Sequence, residues 1–281
     1  MKKITAAITL SFLCSASAIA GDIKYEGSST VGKFINDAKA VYTAANFKLR
    51  TKTESGGGEK CSAAGKCDIG GVARDVKQEV LDKGVVVTTV GKDAIAAIVH
   101  PSNPVGSLSL AQLSDIFSGK VSNWKAVGGP DLPIEVLITG SNSATNKVFK
   151  KVVLQGGDYK GKVVKPDAKI VKLVSSKKGA VGQISFAFII GNNDVKAIKP
   201  DGQEATTANP NYPITRPLNL VTKDAPKGEV KKFIDWALSA EGSSVVQKRF
   251  VAINIGCKSL GIKPTYEEEG TKYNDSCRLV G

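Results

Sequence analysis

Three stretches of the sequence place serine and threonine directly after a predicted strand and before a predicted helix. They read GSSTVGKF from residue 27, TESGGGEK from residue 53 and ITGSNSATNK from residue 138. Side-chain hydroxyls and the backbone N–H groups of a helix N-terminus can both donate to an anion, and glycine allows its close approach. Each stretch alone is also typical of an ordinary helix cap. Three of them in one chain favour a converging anion site.

The candidate ligand-binding residues are the small and hydroxyl-bearing positions of these turns. They are Ser29, Thr30, Ser55, Gly56, Gly57, Ser143, Ala144 and Thr145. Backbone N–H groups of the second and third turns are expected to donate to the ligand as well. Glu54 has two open interpretations, because it could accept a proton from a protonated ligand or could point to solvent.

The elements around these turns alternate between strand and helix. Strands are predicted over residues 22–27, 47–54 and 68–73, and helices over 31–46 and 76–84, with a loop or short helix start at SGGGEKCSAAGKC. This order predicts a βαβαβ unit and therefore an α/β fold with a mainly parallel sheet. Ligands in such sheets bind beyond the carboxyl ends of the strands.

The first twenty residues have the order of a secretory signal peptide. Lys2 and Lys3 precede an apolar run over residues 4–13, and small residues end at Ala18 and Ala20. We expect cleavage after Ala20 and a soluble protein that is periplasmic or otherwise exported.

The chain is strongly basic, with a formal net charge of +13. The leader carries two of the lysines, so the mature chain keeps a net charge of about +11. This charge favours anionic partners. The basic residues are spread along the chain and aromatic residues are only 6%, which favours a solvated surface over a nucleic-acid groove.

Four cysteines remain after the leader, and three pairings are possible. We favour the pairing of neighbours, Cys61 with Cys67 and Cys257 with Cys277. The CSAAGKC spacing and the single histidine, His100, argue against a metal site. One histidine in an apolar context also argues against a histidine-dependent nucleophile, so no enzyme activity and no cofactor is expected.

Longer motifs resemble the exported phosphate-binding proteins that serve bacterial phosphate transporters, within the two-lobed periplasmic-binding-protein group. The most specific stretch is NPVGSLSLAQLSDIFSGKVSNWKAVGGPDLPIEV, residues 103–136. SATNKVF, KKGAVGQISFAFI, YPITRPLNLVT and FIDWALSAEGSSVVQKRFVAI are similar to further segments of that family. The resemblance covers nearly the whole mature chain.

The resemblance implies the type II binding-protein fold, in which two α/β lobes, each a mostly parallel sheet with helices on both faces, are joined by two crossover strands. The crossovers are expected near residues 98–104 and 212–220. Lobe one is expected to comprise residues 21–100 plus 217–281, and lobe two residues 101–216. Closure of such lobes on a ligand is a hinge motion.

The resemblance also implies a function. The protein is expected to capture phosphate or a related oxyanion in the interlobe cleft and to deliver it to a membrane-embedded ABC permease. It is expected to be a monomer with no nucleic-acid partner.

Two departures from the family pattern put the ligand in question. Thr139 stands where the family usually has an arginine, and Ala73 falls where several members have a proton-accepting aspartate. Arg74, which resembles an arginine of shorter members, is a candidate replacement, with a structural salt bridge as its alternative role. The loss of the charged pair leaves open a sensor or surface binding protein for a different polar solute.

Overall fold

The computed structural model describes residues 21–253. Its strands are β1 (Gly21–Gly27), β2 (Ala45–Arg50), β3 (Ile69–Val72), β4 (Val86–Val99), β5 (Ser107–Leu108), β6 (Glu135–Thr139), β7 (Lys162–Val164), β8 (Ala180–Ser185), β9 (Lys196–Ala197), β10 (Lys199–Pro200), β11 (Thr215–Thr222) and β12 (Val251–Ala252). Its α-helices are α1 (Ser29–Ala38), α2 (Glu54–Ala63), α3 (Gln78–Leu81), α4 (Leu110–Phe117), α5 (Ala144–Val152), α6 (Lys169–Ser175), α7 (Gly228–Ala237) and α8 (Ala240–Gln247). The expected cleavage after Ala20 and the Cys257–Cys277 pair lie outside the described residues.

The strands follow the order β2-β1-β3-β11-β4-β8-β6-β7. β1 pairs in parallel with β2 and β3, as the βαβαβ pattern predicts. In the other half, β6 pairs in parallel with β8 and β7. β11 and β4 run antiparallel to their neighbours and join the two parallel groups. The predicted α/β class is confirmed.

β4 contributes to both halves of the sheet and β11 runs beside it. Residues up to Ala94 of β4 pair with β11, whereas Ile95 to Val99 pair with β8. The change of partner comes several residues before the crossover expected at 98–104. We therefore propose that the boundary between the lobes lies between Ala94 and Ile95 on this strand, and beside Thr215 on β11.

Each half of the sheet has its own hydrophobic core. One buried cluster includes Phe117, Trp124 and Phe149 and belongs to the half built on β8, β6 and β7. The other includes Phe34 and Phe233 and belongs to the half built on β1, β2 and β3. Two separate cores are what a pair of hinged lobes requires. No helix within residues 21–253 is long and apolar enough to cross a membrane.

The first helix is shorter than its sequence pattern predicts. Apolar spacing predicts a helix over 31–46, but α1 ends at Ala38. β2 begins at Ala45 and pairs there with Gly21, so the chain must turn back before that residue. Tertiary pairing therefore overrides the helical periodicity beyond Ala38.

The glycine-rich stretch SGGGEKCSA, predicted as a loop or a short helix start, lies within the ten-residue helix α2, which begins at Glu54. Its glycines allow α2 to pack directly on the sheet. A Cβ atom built on Gly58 would lie 2.5 Å from the backbone oxygen of Gly71 on β3, and one built on Gly70 would lie 2.5 Å from the oxygen of Gly58. Any side chain at these positions would push helix and sheet apart.

A disulfide between Cys61 and Cys67 links the end of α2 to the chain just before β3. This pairing of neighbours is the one favoured from the sequence. Six residues separate the two cysteines, so the bridge closes a short loop at the point where the helix returns to the sheet. It holds the C-terminal end of α2 against β3.

Replacing Cys61 and Cys67 together by serine is expected to lower the free energy of unfolding by about 2 kcal/mol, the chain-entropy value for a loop of this size. Thermal melts of the double variant and the parent protein measure this loss. An unchanged melting temperature would show that the bridge adds nothing to the packing of α2 on β3.

Candidate anion-binding site

The centre of the site is Arg216, which lies on β11 beside the proposed lobe boundary and is 3% exposed. Its Nη2 donates to Thr30 Oγ1 at 2.9 Å and its Nη1 donates to Thr145 Oγ1 at 3.0 Å. Thr30 belongs to α1 in the first lobe, and Thr145 belongs to α5 in the second. One guanidinium therefore bonds to a helix start of each lobe.

Asp93 on β4 holds this arginine in place. Arg216 Nε donates to Asp93 Oδ2 at 2.9 Å, and the Ser185 hydroxyl donates to Asp93 Oδ1 at 3.0 Å. Burial raises the pKa of Asp93, and the Arg216 guanidinium and the Ser185 hydroxyl oppose that rise. The pair joins the two crossover strands to each other. Its geometry fixes the direction of the guanidinium's remaining N–H groups.

The start of α1 presents hydroxyls to this centre. Ser28 caps the helix, since its Oγ accepts from the backbone N–H groups of Thr30 and Val31. The side chains of the next two residues, Ser29 and Thr30, bond to Glu54 and to Arg216. Ser29 then donates to Glu54 through both its N–H and its hydroxyl, each at 3.1 Å from Oε2.

Glu54 begins α2 with a backbone φ of 54°, in the left-handed region that is unfavourable for a side chain with a Cβ atom. The carboxyl is 8% exposed, and its Oε1 has no hydrogen-bond partner among the described residues. Burial raises the pKa of Glu54 to about 7, and the nearby Asp167 carboxylate adds to the rise. A buried, unpaired acceptor on a strained residue is a signature of a ligand contact.

Asp167 supplies a second carboxylate from the other lobe, in the turn between β7 and α6. The Ser143 hydroxyl donates to its Oδ2 at 2.5 Å. Burial raises the pKa of Asp167 to about 6, although Ser143 and Arg216 act to lower it. Ser143 is also the cap of α5, where its Oγ accepts from Thr145 N–H. The loop that follows β7 is therefore joined to the start of α5 by the hydrogen bond between Ser143 and Asp167.

The site thus combines donors and acceptors. Hydroxyls and one guanidinium can donate to the oxygens of a ligand, while Glu54 and Asp167 can only accept as long as they are ionised. Asp93 already balances the charge of Arg216, so the two other carboxylates leave the ionised site with net negative charge. An anion can enter favourably only if it brings protons for these carboxylates.

Several predicted contacts take other partners in the structure. The Ser55 hydroxyl accepts from Ala73 N–H at 3.0 Å, and Gly56 N–H donates to the Asn142 carbonyl of the other lobe at 3.1 Å. Gly57 N–H donates within α2 to Thr53. Ala144 packs, 2% exposed, against the core of the first lobe. Of these contacts, the Gly56–Asn142 bond and the packing of Ala144 join the two lobes, and the N–H groups of Gly56 and Gly57 are already bonded within the protein.

Arg74 lies in an ion pair instead of in the site. Its Nη1 and Nη2 donate to the two oxygens of Glu59, at 2.5 and 2.7 Å. A third donation goes to the carbonyl of Asp75. The alternative role from the sequence, a structural salt bridge, matches these contacts. Arg216 is a second candidate for the cation that Arg74 is expected to provide.

Sequence reasoning missed Arg216, Asp93 and Asp167 as site residues. Arg216 and Asp93 directly precede the mainly apolar segments PLNLVT and AIAAIV, which must be buried as crossover strands. A buried charge needs a partner, and this requirement could have paired them. Asp167 follows a strand of three residues that carries no clear strand pattern. Among residues 21–253, no group of three or more metal-binding side chains occurs.

Comparison with known proteins agrees with this geometry. A family model described as a PBP superfamily domain matches residues 15–241. The chain belongs to the PBP superfamily. The resemblance to exported phosphate-binding proteins is confirmed at the level of relatives by the phosphate-binding protein PstS of Bacillus subtilis, 26% identical over 241 residues that cover 82% of this chain and 78% of that protein.

Solved structures of the superfamily share the fold. A structure from Clostridium perfringens, described as a substrate-binding protein of a phosphate ABC transporter with bound phosphate, is 32% identical with a TM-score of 0.77 and covers 83% of this chain and 100% of that one. An ABC-type phosphate transport receptor from Vibrio cholerae is 24% identical with a TM-score of 0.66, covering 82% and 99% of the two chains. The latter supports the two-lobed fold alone.

Arg216→Lys is expected to weaken binding of inorganic phosphate by roughly 10- to 100-fold. An ammonium cannot keep the hydrogen bonds to Asp93, Thr30 and Thr145 at once, and each bond to a charged group contributes about 1.5–3 kcal/mol. Titration calorimetry after unfolding and refolding, which removes bound ligand, measures the change.

Arg74→Lys is the matched control, because it makes the same replacement at an arginine outside the site. It should lower thermal stability by disturbing the Glu59 pair while phosphate affinity stays as in the parent protein. If Arg74→Lys lost phosphate affinity and Arg216→Lys kept it, the ligand would lie at Arg74 and not at Arg216.

Proposed function

We propose that this protein captures phosphate between its two lobes and delivers it to a membrane-embedded ABC transporter. The observation that carries the proposal is the buried Oε1 of Glu54, which accepts no hydrogen bond from the described residues. It lies in a site where Arg216 and the hydroxyls supply donors from both lobes. The superfamily membership and the phosphate-binding relatives support the same ligand.

Proton content selects the ligand class. Hydrogenphosphate and dihydrogenphosphate have protons to donate to Glu54 or Asp167, and their other oxygens accept from the hydroxyls and Arg216. Sulfate at neutral pH has no proton, so an oxygen would face an ionised carboxylate and its charge would be repelled. The site therefore suits phosphate and arsenate and rejects sulfate.

The sensor alternative rested on the apparent loss of a charged pair at Thr139 and Ala73. Arg216, Glu54 and Asp167 provide a cation and proton acceptors from other strands and turns, so that argument no longer holds. Thr139 is fully buried at the end of β6, and its carbonyl accepts from Asn146 Nδ2 at 2.8 Å. The relatives are transport proteins, which supports a binding protein without enzyme activity.

The remaining parts of the proposal concern the working form of the protein. We infer that it is exported after cleavage following Ala20, that it acts as a monomer and that it needs no cofactor. The lobe boundary at Ala94 and Ile95 lets the two cores move as separate bodies about β4 and β11. Thr30 and Thr145 already bond to the same guanidinium, so we infer that the structure has the closed arrangement of the lobes.

Sulfate binding by the parent protein is expected to be weak at pH 8 and to strengthen as the pH falls toward 5. Glu54 takes up a proton as the pH falls through about 7, and Asp167 as it falls through about 6. Each protonated carboxyl then changes from an acceptor that repels sulfate to a donor that can bond to it. Calorimetric titration with sulfate across this range measures the effect.

Glu54→Gln is the matched variant, because it mimics the protonated side chain at every pH. At pH 8 it should bind sulfate more tightly than the parent and bind phosphate roughly 10- to 100-fold more weakly, because the phosphate proton loses its charged acceptor. If the parent and the variant had the same ratio of phosphate affinity to sulfate affinity, the proposed role of Glu54 would be contradicted. Absence of phosphate binding by the refolded parent would contradict the proposed function itself.

A further inference from the structure

Four exposed lysines flank the turns that carry the carboxylates of the site. Lys52 lies two residues before Glu54, Lys165 and Lys169 lie two residues on either side of Asp167, and Lys147 lies four residues after Ser143. None of the four makes an ion pair within the part of the chain that the structure describes. We refer to Lys52, Lys147, Lys165 and Lys169 as the flanking lysines.

Contacts between the lobes bring these turns together. Gly56 N–H of α2 donates to the Asn142 carbonyl in the turn before α5, so the segments carrying Lys52 and Lys147 meet there. The Lys165 side chain lies along the same turn, because a Cβ built on Gly140 would approach its Cε to 2.6 Å. Lys52, Lys147 and Lys165 therefore lie on segments that meet at this turn from both lobes, and Lys169 follows Lys165 by four residues.

Helix electrostatics do not explain this placement. Cations stabilise a helix at its C-terminal end, whereas its N-terminal end favours anions. Lys52 precedes the start of α2, and Lys147 lies in the first turns of α5, which has no acidic residue in its first turn. Lysines near a helix N-terminus are locally unfavourable, and such unfavourable placements in proteins tend to occur at functional sites.

The interior of the site supplies that reason. When Glu54 and Asp167 are ionised, the centre repels an approaching anion before any hydrogen bond can form. Lysines without an ion-pair partner on the turns around the site would oppose this repulsion while the anion approaches, since charges act through water over about 10 Å at 0.1 M salt. Their effect is expected on the rate of arrival, because none of the four takes part in the hydrogen bonds of Glu54, Asp167 or Arg216 within the site.

We propose that the flanking lysines form an electrostatic capture surface that speeds the association of phosphate with a site whose interior is negatively charged. This inference rests on the proposed function. It assigns to Lys52, Lys147, Lys165 and Lys169 a role in the association rate, separate from the role of Arg216 and the hydroxyls in holding the ligand.

The chain offers a matched control set at the other ends of the same or neighbouring helices. Lys39 follows α1, Lys66 follows α2, Lys151 lies in the last turn of α5, and Lys178 follows α6. All four are exposed. Replacing either set by glutamine removes the same charge, so any difference between the two variants depends on position and not on net charge.

Stopped-flow measurement of inorganic phosphate binding tests the proposal. At low salt the variant K52Q/K147Q/K165Q/K169Q should associate roughly 3- to 10-fold more slowly than the parent, with an unchanged dissociation rate. The control K39Q/K66Q/K151Q/K178Q should associate at nearly the parent rate. At about 1 M salt, where charges are screened within about 3 Å, the two variants and the parent should converge.

Equal association rates for the two variants at low salt would overturn the proposal. A change in the dissociation rate alone would also overturn it, because it would show that the lysines contact the bound ligand. Both results leave the proposed function standing, because the parent still binds phosphate. If the parent does not bind phosphate, the proposed function fails, and the capture surface fails with it.

Discussion

The buried ion pair between Asp93 and Arg216 is the interaction on which the rest of the site depends. Two fully desolvated charges on adjacent crossover strands are costly unless every hydrogen bond is made. Two further N–H groups of Arg216 donate to Thr30 and Thr145, one from each lobe, out of the five that a guanidinium carries. We propose that the hinge, the closed arrangement of the lobes and the cation at the ligand site all depend on this pair, so that a change at either partner would affect all three.

The carboxylates follow from this arrangement. Because Asp93 balances Arg216, the site has no spare positive charge for a dianion, and Glu54 and Asp167 make its interior more negative. On the proposed function, such a site would recognise protons on the ligand as well as its charge. The strained backbone of Glu54 shows that the fold accepts a local cost, of order 1–3 kcal/mol, to place that carboxyl.

The sequence was sufficient for the α/β fold, the order of the first elements, the Cys61–Cys67 pair and the turns that carry Ser29, Thr30, Ser143 and Thr145, because periodicity and caps are local signals. It was insufficient where tertiary packing decides. The glycines of α2 allow this helix to approach the sheet closely. In the sequence alone, such a run of glycines looks the same as a flexible loop. Arg216 lies in the site only because β11 crosses between the lobes. Arg74 lies near a predicted strand end, but its guanidinium forms an ion pair with Glu59.

A high-resolution structure of the protein with bound phosphate, refined to the point where hydrogen positions on the ligand are visible, tests the central claim most directly. The account predicts a phosphate whose oxygens accept from Arg216 and from the hydroxyls of both lobes. It also predicts at least one protonated oxygen within about 2.5–3.0 Å of Glu54 or Asp167, the range of an O–H···O bond. A phosphate bound away from Arg216, or one with no proton directed at either carboxylate, would contradict it.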